Sequence, residues 1–408
     1  MPTTLITFLG RVPLHQGGTY RSTTYVLDDA RFETRFLGTG LARVLDVDVI
    51  RILGTTGSMW DVLADELDAR GGDDDWLALS DAARHDRVSA EQLQAVESCL
   101  NARGGRRFEL RLIPYGFEER VQADILRALS EGHERAGRRH IVLDITHGLR
   151  HLPMLGLLCA LYLRALGHAQ ITDIVYGAFD VAARDGATPV VRLNGLLTMQ
   201  EWIRRLEQFD KDGDYGSFAD LLEQDGLPGK LLREAAFLER VGNLSLARKK
   251  LDTFWQQAGQ PATPAGTLFF PALRERLAWR TAAKHSEWER RLARLALDKA
   301  DYLRATIFAF ESRISARVEQ MGGNINDYLG SRSQAEKQLA EETKEERIDY
   351  KSERNFITLS FLRNQLAHGV RANVASASWF TQRTAEHVAG LAGDEARLKA
   401  WLGRALEA

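Results

Sequence analysis

The segment His140–Gly148, HIVLDITHG, indicates how the first half of the chain folds. Its first six residues have the length and the branched apolar side chains of a buried strand. A turn of Thr146, His147 and Gly148 follows, and an apolar stretch of helical length, Leu152–Leu166, begins directly afterwards. The segment therefore predicts a strand, a tight turn and a buried helix, which is the repeating unit of a parallel sheet.

The same unit recurs through the first half of the chain, where apolar runs alternate with helical patterns. The predicted strands are Thr4–Leu9, Val47–Leu53, Phe108–Ile113, His140–Ile145, Ile174–Tyr176 and Val190–Leu193. The predicted helices include Glu33–Leu45, Met59–Ala69, Glu119–Glu131 and Leu152–Leu166. Strands that alternate with helices favour an α/β domain in which helices cover both faces of a mostly parallel sheet.

The second half of the chain has a different periodicity, which begins after about Leu196. Apolar residues recur at three and four spacing, and charged residues are dense between them. The stretches with this pattern are Trp202–Phe209, Leu231–Val241, Leu273–Phe310, Phe356–Ala367 and Ala385–Leu398. We therefore expect residues 1–196 to form the α/β domain and residues 197–408 to form an all-helical domain.

The composition is that of a globular protein, with 44% hydrophobic and 27% charged residues among 408. The net charge of −2 requires that any nucleic-acid site be local. Apolar runs stay shorter than the roughly 18 residues that span a bilayer, and the N-terminal residues MPTTLITFLG begin as a strand rather than a signal peptide. Cys99 and Cys159 are expected to be reduced thiols. We expect a cytoplasmic protein without a membrane segment, a metal site or a cofactor.

Small and polar residues follow three of the predicted strands, at the edge of a parallel sheet where ligands bind. These residues are Gly10 and Arg11, then Gly54, Thr55, Thr56, Gly57 and Ser58, and finally Asp144, Thr146, His147 and Gly148. Helix N-termini, glycines and hydroxyls together favour an anion such as phosphate. The loop from Gly54 to Ser58 fits an ordinary capped turn equally well. A histidine before a glycine at a strand-to-helix corner is not expected in the core.

Near the C-terminus the stretch FLRNQLAHG, Phe361–Gly369, places an arginine, an amide and a histidine at the end of a predicted helix. The spacing R-x4-H alone is weak, because it occurs three times in the chain. The three pairs are Arg135/His140, Arg280/His285 and Arg363/His368. The first two are interpreted as a solvated basic turn and as the solvated face of a long charged helix.

The helix that carries the third pair is predicted to start after a cap at Ser352 and to end at Gly369. Arg363 and His368 lie roughly 140° apart around an ideal helix, whereas Asn364 and His368 share a face. One interpretation is a catalytic site, in which the histidine transfers protons and the arginine stabilises negative charge. The alternative is a histidine that stabilises a helix C-terminus by up to about 1 kcal/mol.

The sequence resembles a known family at these residues. Asp144-Ile-Thr-His-Gly148 is similar to the D-x-T-H-G motif of CRISPR-associated proteins with a CARF domain, a Rossmann-like sensor of cyclic oligoadenylate. Phe8–Gly10 (FLG) and Gly54–Trp60 (GTTGSMW) are similar to other signatures of this group. The family places a helical HEPN ribonuclease domain after the sensor. Its R-x4–6-H signature matches Arg363, Asn364 and His368 in position and spacing.

The resemblance implies a cyclic-oligoadenylate-activated, metal-independent endoribonuclease of type III CRISPR antiviral defence. It implies single-stranded RNA as substrate, cyclic tetra-adenylate as the favoured activator, and a homodimer or higher homo-oligomer. The ligand site would contain the three strand-end loops, and the catalytic residues would be Arg363, Asn364 and His368. Two alternatives stay open: a nucleotide-sensing regulator without nuclease activity, and a ring nuclease that degrades the cyclic oligoadenylate near His147.

Overall fold

The computed structural model describes residues 2–11, 22–131, 139–179, 181, 186–369 and 378–408. The chain divides into two compact units, Met1–Leu197 and Thr198–Ala408. This boundary lies one residue beyond position 196, where the change of periodicity placed the end of the first domain. Each unit is treated by itself below.

The described part of the first unit contains an eight-stranded sheet in the order β3-β2-β8-β7-β6-β1-β4-β5. The strands are β1 (Thr3–Leu9), β2 (Thr23–Leu27), β3 (Ala30–Thr34), β4 (Val49–Gly54), β5 (Arg107–Leu112), β6 (Arg139–Asp144), β7 (Ala169–Gly177) and β8 (Thr188–Arg192). Strand β1 pairs in parallel with β4 and β6, and β5 and β7 extend this parallel core on either side. Antiparallel pairing joins β7 to β8 and β2 to β3.

Helices cover both faces of this sheet, as the sequence predicted. The helices of the first unit are α1 (Leu37–Val44), α2 (Trp60–Glu66), α3 (Asp73–Arg84), α4 (Ala90–Ala102), α5 (Glu119–Ser130) and α6 (Leu152–Ala165). The side chains of β1 alternate between the faces. Leu5 and Leu9 join a core with α1 to α4, whereas Ile6 and Phe8 join a core with α5 and α6. The alternation follows from the two-residue period of a strand.

The prediction was wrong around residue 33, where a helix Glu33–Leu45 was expected. Glu33 lies in β3, and the helix α1 begins only at Leu37. The hairpin of β2 and β3 was not predicted. It turns at Asp28, whose φ of 53° lies in the left-handed region that aspartate tolerates better than most residues. Strand β2 then continues the sheet by pairing with β8.

The described part of the second unit is helical. Its helices are α7 (Gly195–Asp212, which begins just before the boundary), α8 (Ala219–Gln224), α9 (Gly229–Arg240), α10 (Leu244–Gln257), α11 (Pro264–Arg276), α12 (His285–Asp298), α13 (Tyr302–Gln320), α14 (Ser333–Glu345), α15 (Phe356–His368), α16 (Trp379–Ala392) and α17 (Glu395–Ala405). The stretch Leu273–Phe310 is not continuous, because α12 ends before Ala300, whose φ is 56°. Asp301 then caps α13 by accepting from Arg304 N. Among the described residues, no helix has both the length and the hydropathy needed to cross a bilayer.

Candidate functional site

The three strand-end loops predicted to bind a ligand lie together at the carboxyl edge of the sheet. Ser58 Oγ donates to Leu9 O at 2.8 Å, and Met59 N donates to Gly10 O at 3.1 Å. These bonds join the loop after β4 to the end of β1. On the other side of β1, a Cβ added to Gly148 would lie 3.0 Å from the Cβ of Phe8. Parallel pairing of β6, β1 and β4 is the reason that the loops meet.

The loop after β4 is held by its own hydroxyl groups. Thr55 N donates to Ser58 Oγ at 2.9 Å, and the Thr55 and Ser58 hydroxyls lie 3.3 Å apart. The Thr56 hydroxyl donates to Asp86 Oδ1 at 2.6 Å. Gly57 is tightly enclosed, because a Cβ there would lie 2.7 Å from the same carboxylate oxygen. The hydroxyls expected to bind an anion therefore already have partners within the protein.

The motif after β6 is similarly tied into the fold. Asp144 is fully buried, accepting from the Thr7 hydroxyl at 2.7 Å and from Thr146 N at 3.0 Å. Thr146 Oγ1 accepts from Gly177 N at 2.8 Å and so joins the ends of β6 and β7. Gly148 has a φ of 94°, which other residues rarely adopt. The aspartate, threonine and glycine of the motif thus shape the turn that leads to α6.

His147 is a core residue, so the expectation that it would not be one was wrong. Its side chain is 8% exposed and lies near Phe36 and Phe179. Its Nε2 accepts from Leu37 N at 3.3 Å, at the first residue of α1. Burial lowers the pKa of His147, and the negative charges of Asp144 and Glu66 partly oppose this shift. A neutral imidazole that accepts at Nε2 joins the β6 turn to the start of α1.

A second group of residues at this edge follows α3 and β5 and was not predicted from the sequence. Tyr115 donates its hydroxyl to Asp86 Oδ1 at 2.8 Å, the oxygen that also accepts from the loop after β4. His151, the cap of α6, donates Nε2–H to Tyr115 O at 2.7 Å. Phe117 stacks on Tyr115 and is 81% exposed. Arg11 is exposed, and its Nη2 donates to the carbonyl of Arg84 at 3.2 Å.

The predicted catalytic motif lies at the end of α15, and Gly369 follows with a φ of 81°. The helix start differs from the prediction, because the cap is Asn355 rather than Ser352. Asn355 is fully buried, and its side chain accepts from Thr358 N at 2.9 Å. The same side chain donates to the carbonyl of Ile348 at 2.9 Å. Asparagine is a preferred capping residue, and here its side chain bonds both to the helix and to the preceding chain.

Arg363 lies in a different environment from the other two residues of the motif. The Arg363 guanidinium lies 4.5 Å from the centre of the Phe310 ring on α13, and its Nε has no hydrogen-bond partner. Asn364 and His368 are exposed. Burial raises the pKa of the nearby Glu311, and the charge of Arg363 contributes to opposing this. The structure therefore brings Asn364 and His368 to the surface while Arg363 packs against the neighbouring helix.

A surface pocket of about 610 Å³ lies beside this motif. Helices α14, α15 and the start of α16 line it, and Asn364 is the motif residue that contributes. Its other polar residues include Lys344, Ser360 and Thr381. Across the described residues, no group of three or more histidine, cysteine, aspartate or glutamate side chains could hold a metal ion.

The structure describes one residue of the first of the other two arginine–histidine pairs, and the second pair differs from its predicted setting. Arg135 lies outside the described residues, and His140 belongs to β6. Arg280 lies in a short turn before α12 and bonds to Asp252 at 2.7 Å. His285 is not solvated, because its side chain is 15% exposed and its Nε2 lies 3.3 Å from a carboxylate of Glu289. His387 on α16 was not singled out from the sequence. Burial lowers the pKa of this histidine.

Comparisons with known proteins support a relationship of the first unit to CRISPR-associated proteins. The family described as the CARF domain of the CRISPR system endoribonuclease Csx1 matches residues 4–180. CRISPR-associated protein MJ1674 of Methanocaldococcus jannaschii is 26% identical over 217 residues, which cover 47% of this chain. The aligned part amounts to about a third (33%) of that relative's length.

Among solved structures, the chain is similar to Enterococcus italicus Csm6 bound to cyclic hexa-2′-fluoro-hexa-dAMP. The similarity covers 100% of both chains, with 11% identity and a TM-score of 0.35. At these values it supports no further conclusion. The family match therefore carries the assignment, and it is confined to the parallel sheet and its helices. This part of the chain is similar to the CARF domains of CRISPR-associated proteins.

Proposed function

We propose that the protein is an endoribonuclease of type III CRISPR antiviral defence that cyclic oligoadenylate activates. The observation that carries the proposal is the family match to a CARF domain over residues 4–180. An exposed asparagine and histidine at the end of α15, within an R-x4-H motif, support a nuclease site in the helical unit. The helical unit would then be a HEPN domain, and the activator would bind at the carboxyl edge of the sheet.

The proposed chemistry uses a nucleophile that the RNA itself supplies. The 2′-hydroxyl attacks the adjacent phosphorus atom, and the bond to the 5′-oxygen breaks, leaving a 2′,3′-cyclic phosphate. His368 serves as acid or base, because an imidazole changes its charge near neutral pH. Arg363 stays protonated and would stabilise the developing negative charge. Asn364 would orient the phosphate from the same helix face as His368.

A homodimer would reconcile this chemistry with the geometry of one helix. Within a single chain the Arg363 side chain lies against Phe310, away from the exposed face of Asn364 and His368. Two copies of α15 that meet across a two-fold axis would place two complete motifs around a shared cleft. Reorientation of Arg363 toward this cleft would break its contact with the Phe310 ring but no hydrogen bond of its Nε.

The first prediction tests the catalytic histidine. His368→Ala should abolish cleavage of a fluorogenic single-stranded RNA in the presence of EDTA and cyclic tetra-adenylate. The expected loss is at least 100-fold, the lower range for removal of a general acid or base. His285→Ala is the control, because this histidine has the same spacing from an arginine but pairs with Glu289. Melting curves of both variants check that the fold is kept.

Further arms of the assay would separate this proposal from its rivals. RNA with a 2′-deoxy residue at the cut site should resist, since it lacks the nucleophile. Full activity of His368→Ala, or a strict need for Mg²⁺, would contradict the mechanism. Conversion of the cyclic oligoadenylate alone would indicate a ring nuclease. Absence of any cleavage with every cyclic oligoadenylate tested would favour a regulator without nuclease activity.

A further inference from the structure

The loops at the carboxyl edge of the sheet use many of their polar side chains internally. The hydroxyls of Thr56 and Ser58 donate to Asp86 and to the carbonyl of Leu9. The hydroxyl of Thr146 accepts from a neighbouring strand, and His147 is buried. A ligand at this edge must therefore be recognised by backbone groups and by exposed side chains that flank the loops.

Phe117 presents a large aromatic side chain at this edge and is 81% exposed. Its ring stacks on Tyr115 with 5.6 Å between the centres and 16° between the planes. Gly116 separates the two residues and has a φ of 78°, a conformation that favours glycine. The result is a flat aromatic surface, two rings deep, with its outer ring facing solvent.

This aromatic surface is fixed in place before any ligand arrives. The Tyr115 hydroxyl donates to Asp86, and its carbonyl accepts from His151 at the start of α6. The carbonyl of Gly116 accepts from Gln122 Nε2 at 3.1 Å. These bonds hold the Tyr115 ring and the backbone beside Phe117. Stacking on a held surface loses little conformational entropy, and such preorganisation favours binding.

The surroundings of the aromatic pair suit a nucleotide. Asp86 bonds to both Tyr115 and Thr56, so the pair is joined directly to the loop after β4. Burial raises the pKa of Tyr115, and the positive charge of Arg11 is near enough to oppose this. A guanidinium and the N-terminus of α6 would attract phosphate beside a surface that accepts a base. This combination of charge and aromatic area is less suited to an apolar protein partner.

We propose that Phe117, supported by Tyr115, is the surface on which an adenine base of the cyclic oligoadenylate stacks. The inference rests on the proposed function, because it assumes that the activator binds at this edge. It adds a base-stacking residue outside the strand-end motifs. Base stacking on an aromatic side chain depends on the face of the base, so it would accept any purine, and hydrogen bonds from the loops would select adenine.

Binding of cyclic tetra-adenylate to the full-length protein, measured by isothermal titration calorimetry, tests the inference. Phe117→Ala should raise the Kd about 5- to 150-fold, which corresponds to the stacking of one base. Phe117→Trp should keep the Kd near the wild-type value, because indole also stacks. Leu77→Ala on α3 is the matched control: it removes a side chain that is 57% exposed and should leave the Kd unchanged.

Sedimentation of each variant completes the test. If Phe117→Ala binds as tightly as the wild type while the wild type binds well, the stacking role is wrong and the proposed function stands. If Phe117→Ala changes the oligomeric state, Phe117 belongs to a subunit contact and the stacking role is again wrong. If the wild type binds no cyclic oligoadenylate of any ring size, both the proposed function and the stacking role of Phe117 are wrong.

Discussion

At the scale of single residues, the carboxyl group of Glu239 ties the stability of the helical unit to pH. Its side chain on α9 is 8% exposed, and its Oε2 has no hydrogen-bond partner. It faces a small cavity that Tyr215 and Trp279 also line. Burial raises the pKa of Glu239 to about 7, and the positive charges of Arg304 and Arg240 only partly oppose this. Between about pH 4.5 and pH 7, Glu239 therefore keeps its proton in the folded protein but has released it in the unfolded chain.

We expect Glu239 to destabilise the helical unit as pH rises from about 4.5 to about 7. Between these two pH values the folded state binds more protons at this carboxyl group than the unfolded state does. The free energy of unfolding therefore falls over this interval and stays constant above it. Glu239→Gln should therefore be nearly neutral at pH 5 and stabilising at pH 8, by on the order of 3 kcal/mol. Urea unfolding followed by tryptophan fluorescence measures this, since six of the eight tryptophans lie in residues 198–408.

Glu275→Gln is the control for this prediction, because it makes the same chemical change on an exposed side chain of α11. It should leave the free energy of unfolding nearly unchanged at both pH values. A Glu239→Gln effect of equal size at pH 5 and pH 8 would show that the carboxyl group does not titrate as expected.

The burial of His147 shows what the sequence could not tell about single residues. The turn residues after each strand were predictable, because glycine and small polar residues mark turns locally. The environment of the histidine depends on Leu37, 110 positions earlier, and on Phe179. Leu37 lies at the start of a helix that the sequence placed too early. A single sequence gives no information on such distant partners. The imidazole was therefore predicted to lie outside the core, whereas the structure places it inside.

At the scale of elements, α15 depends on the residue that starts it. Asn355 caps the helix through Thr358 N and donates to the carbonyls of Ile348 and Asp349. It joins the helix to the preceding loop through three hydrogen bonds while fully buried. The helix that carries Arg363, Asn364 and His368 is therefore positioned at its far end by an asparagine that the motif does not include.

Asn355→Ala should destabilise the helical unit by about 2 kcal/mol or more. Loss of a helix cap costs roughly 0.5–2 kcal/mol, and the carbonyls of Ile348 and Asp349 would also lose a donor. Ser352→Ala is the matched control at the residue that the sequence favoured as the cap, and it should cost less than about 0.5 kcal/mol. Urea unfolding compares the two. Equal losses would mean that the position of the cap does not determine stability here.

Secondary-structure elements were predicted correctly where the sequence pattern that defines them is local. The parallel strands β1, β4, β5 and β6 were predicted nearly in full, because continuous apolar runs between turn residues need no distant information. The hairpin of β2 and β3 was missed for the opposite reason. Each strand has only five residues. Strand β3 does alternate, with Arg31 and Glu33 more exposed than their neighbours, but so short a run gives a weak periodic signal. Pairing with β8 is what makes β2 a strand.

At the scale of the whole molecule, each unit has its own core. The apolar clusters of the sheet contain residues of the first unit, and the largest cluster contains residues of the second. A ligand of the first unit would therefore change cleavage in the second only through a difference in its affinity for the resting and active states. Activation should consequently be sensitive to any side chain that binds the ligand, wherever the nuclease site lies.

Arg11→Ala should raise the cyclic tetra-adenylate concentration that gives half-maximal RNA cleavage, with the maximal rate kept. Arg11 is exposed, so its removal should cost the fold little. Loss of one charged hydrogen bond to a phosphate costs roughly 1–3 kcal/mol, which shifts the midpoint about 5- to 150-fold. A ligand on a two-fold axis would meet two copies of Arg11, so the shift should lie toward the upper end.

The comparison with His147→Ala makes this test specific. That substitution removes a buried ring which accepts from Leu37 N, so it should lower the melting temperature of the first unit. Arg11→Ala should leave the melting temperature unchanged, so that only binding is affected. An unchanged midpoint for Arg11→Ala would remove this arginine from the ligand site. A shifted midpoint together with a lower maximal rate would instead mean that Arg11 also favours the active state, because the population of that state affects both the apparent affinity and the rate at saturation.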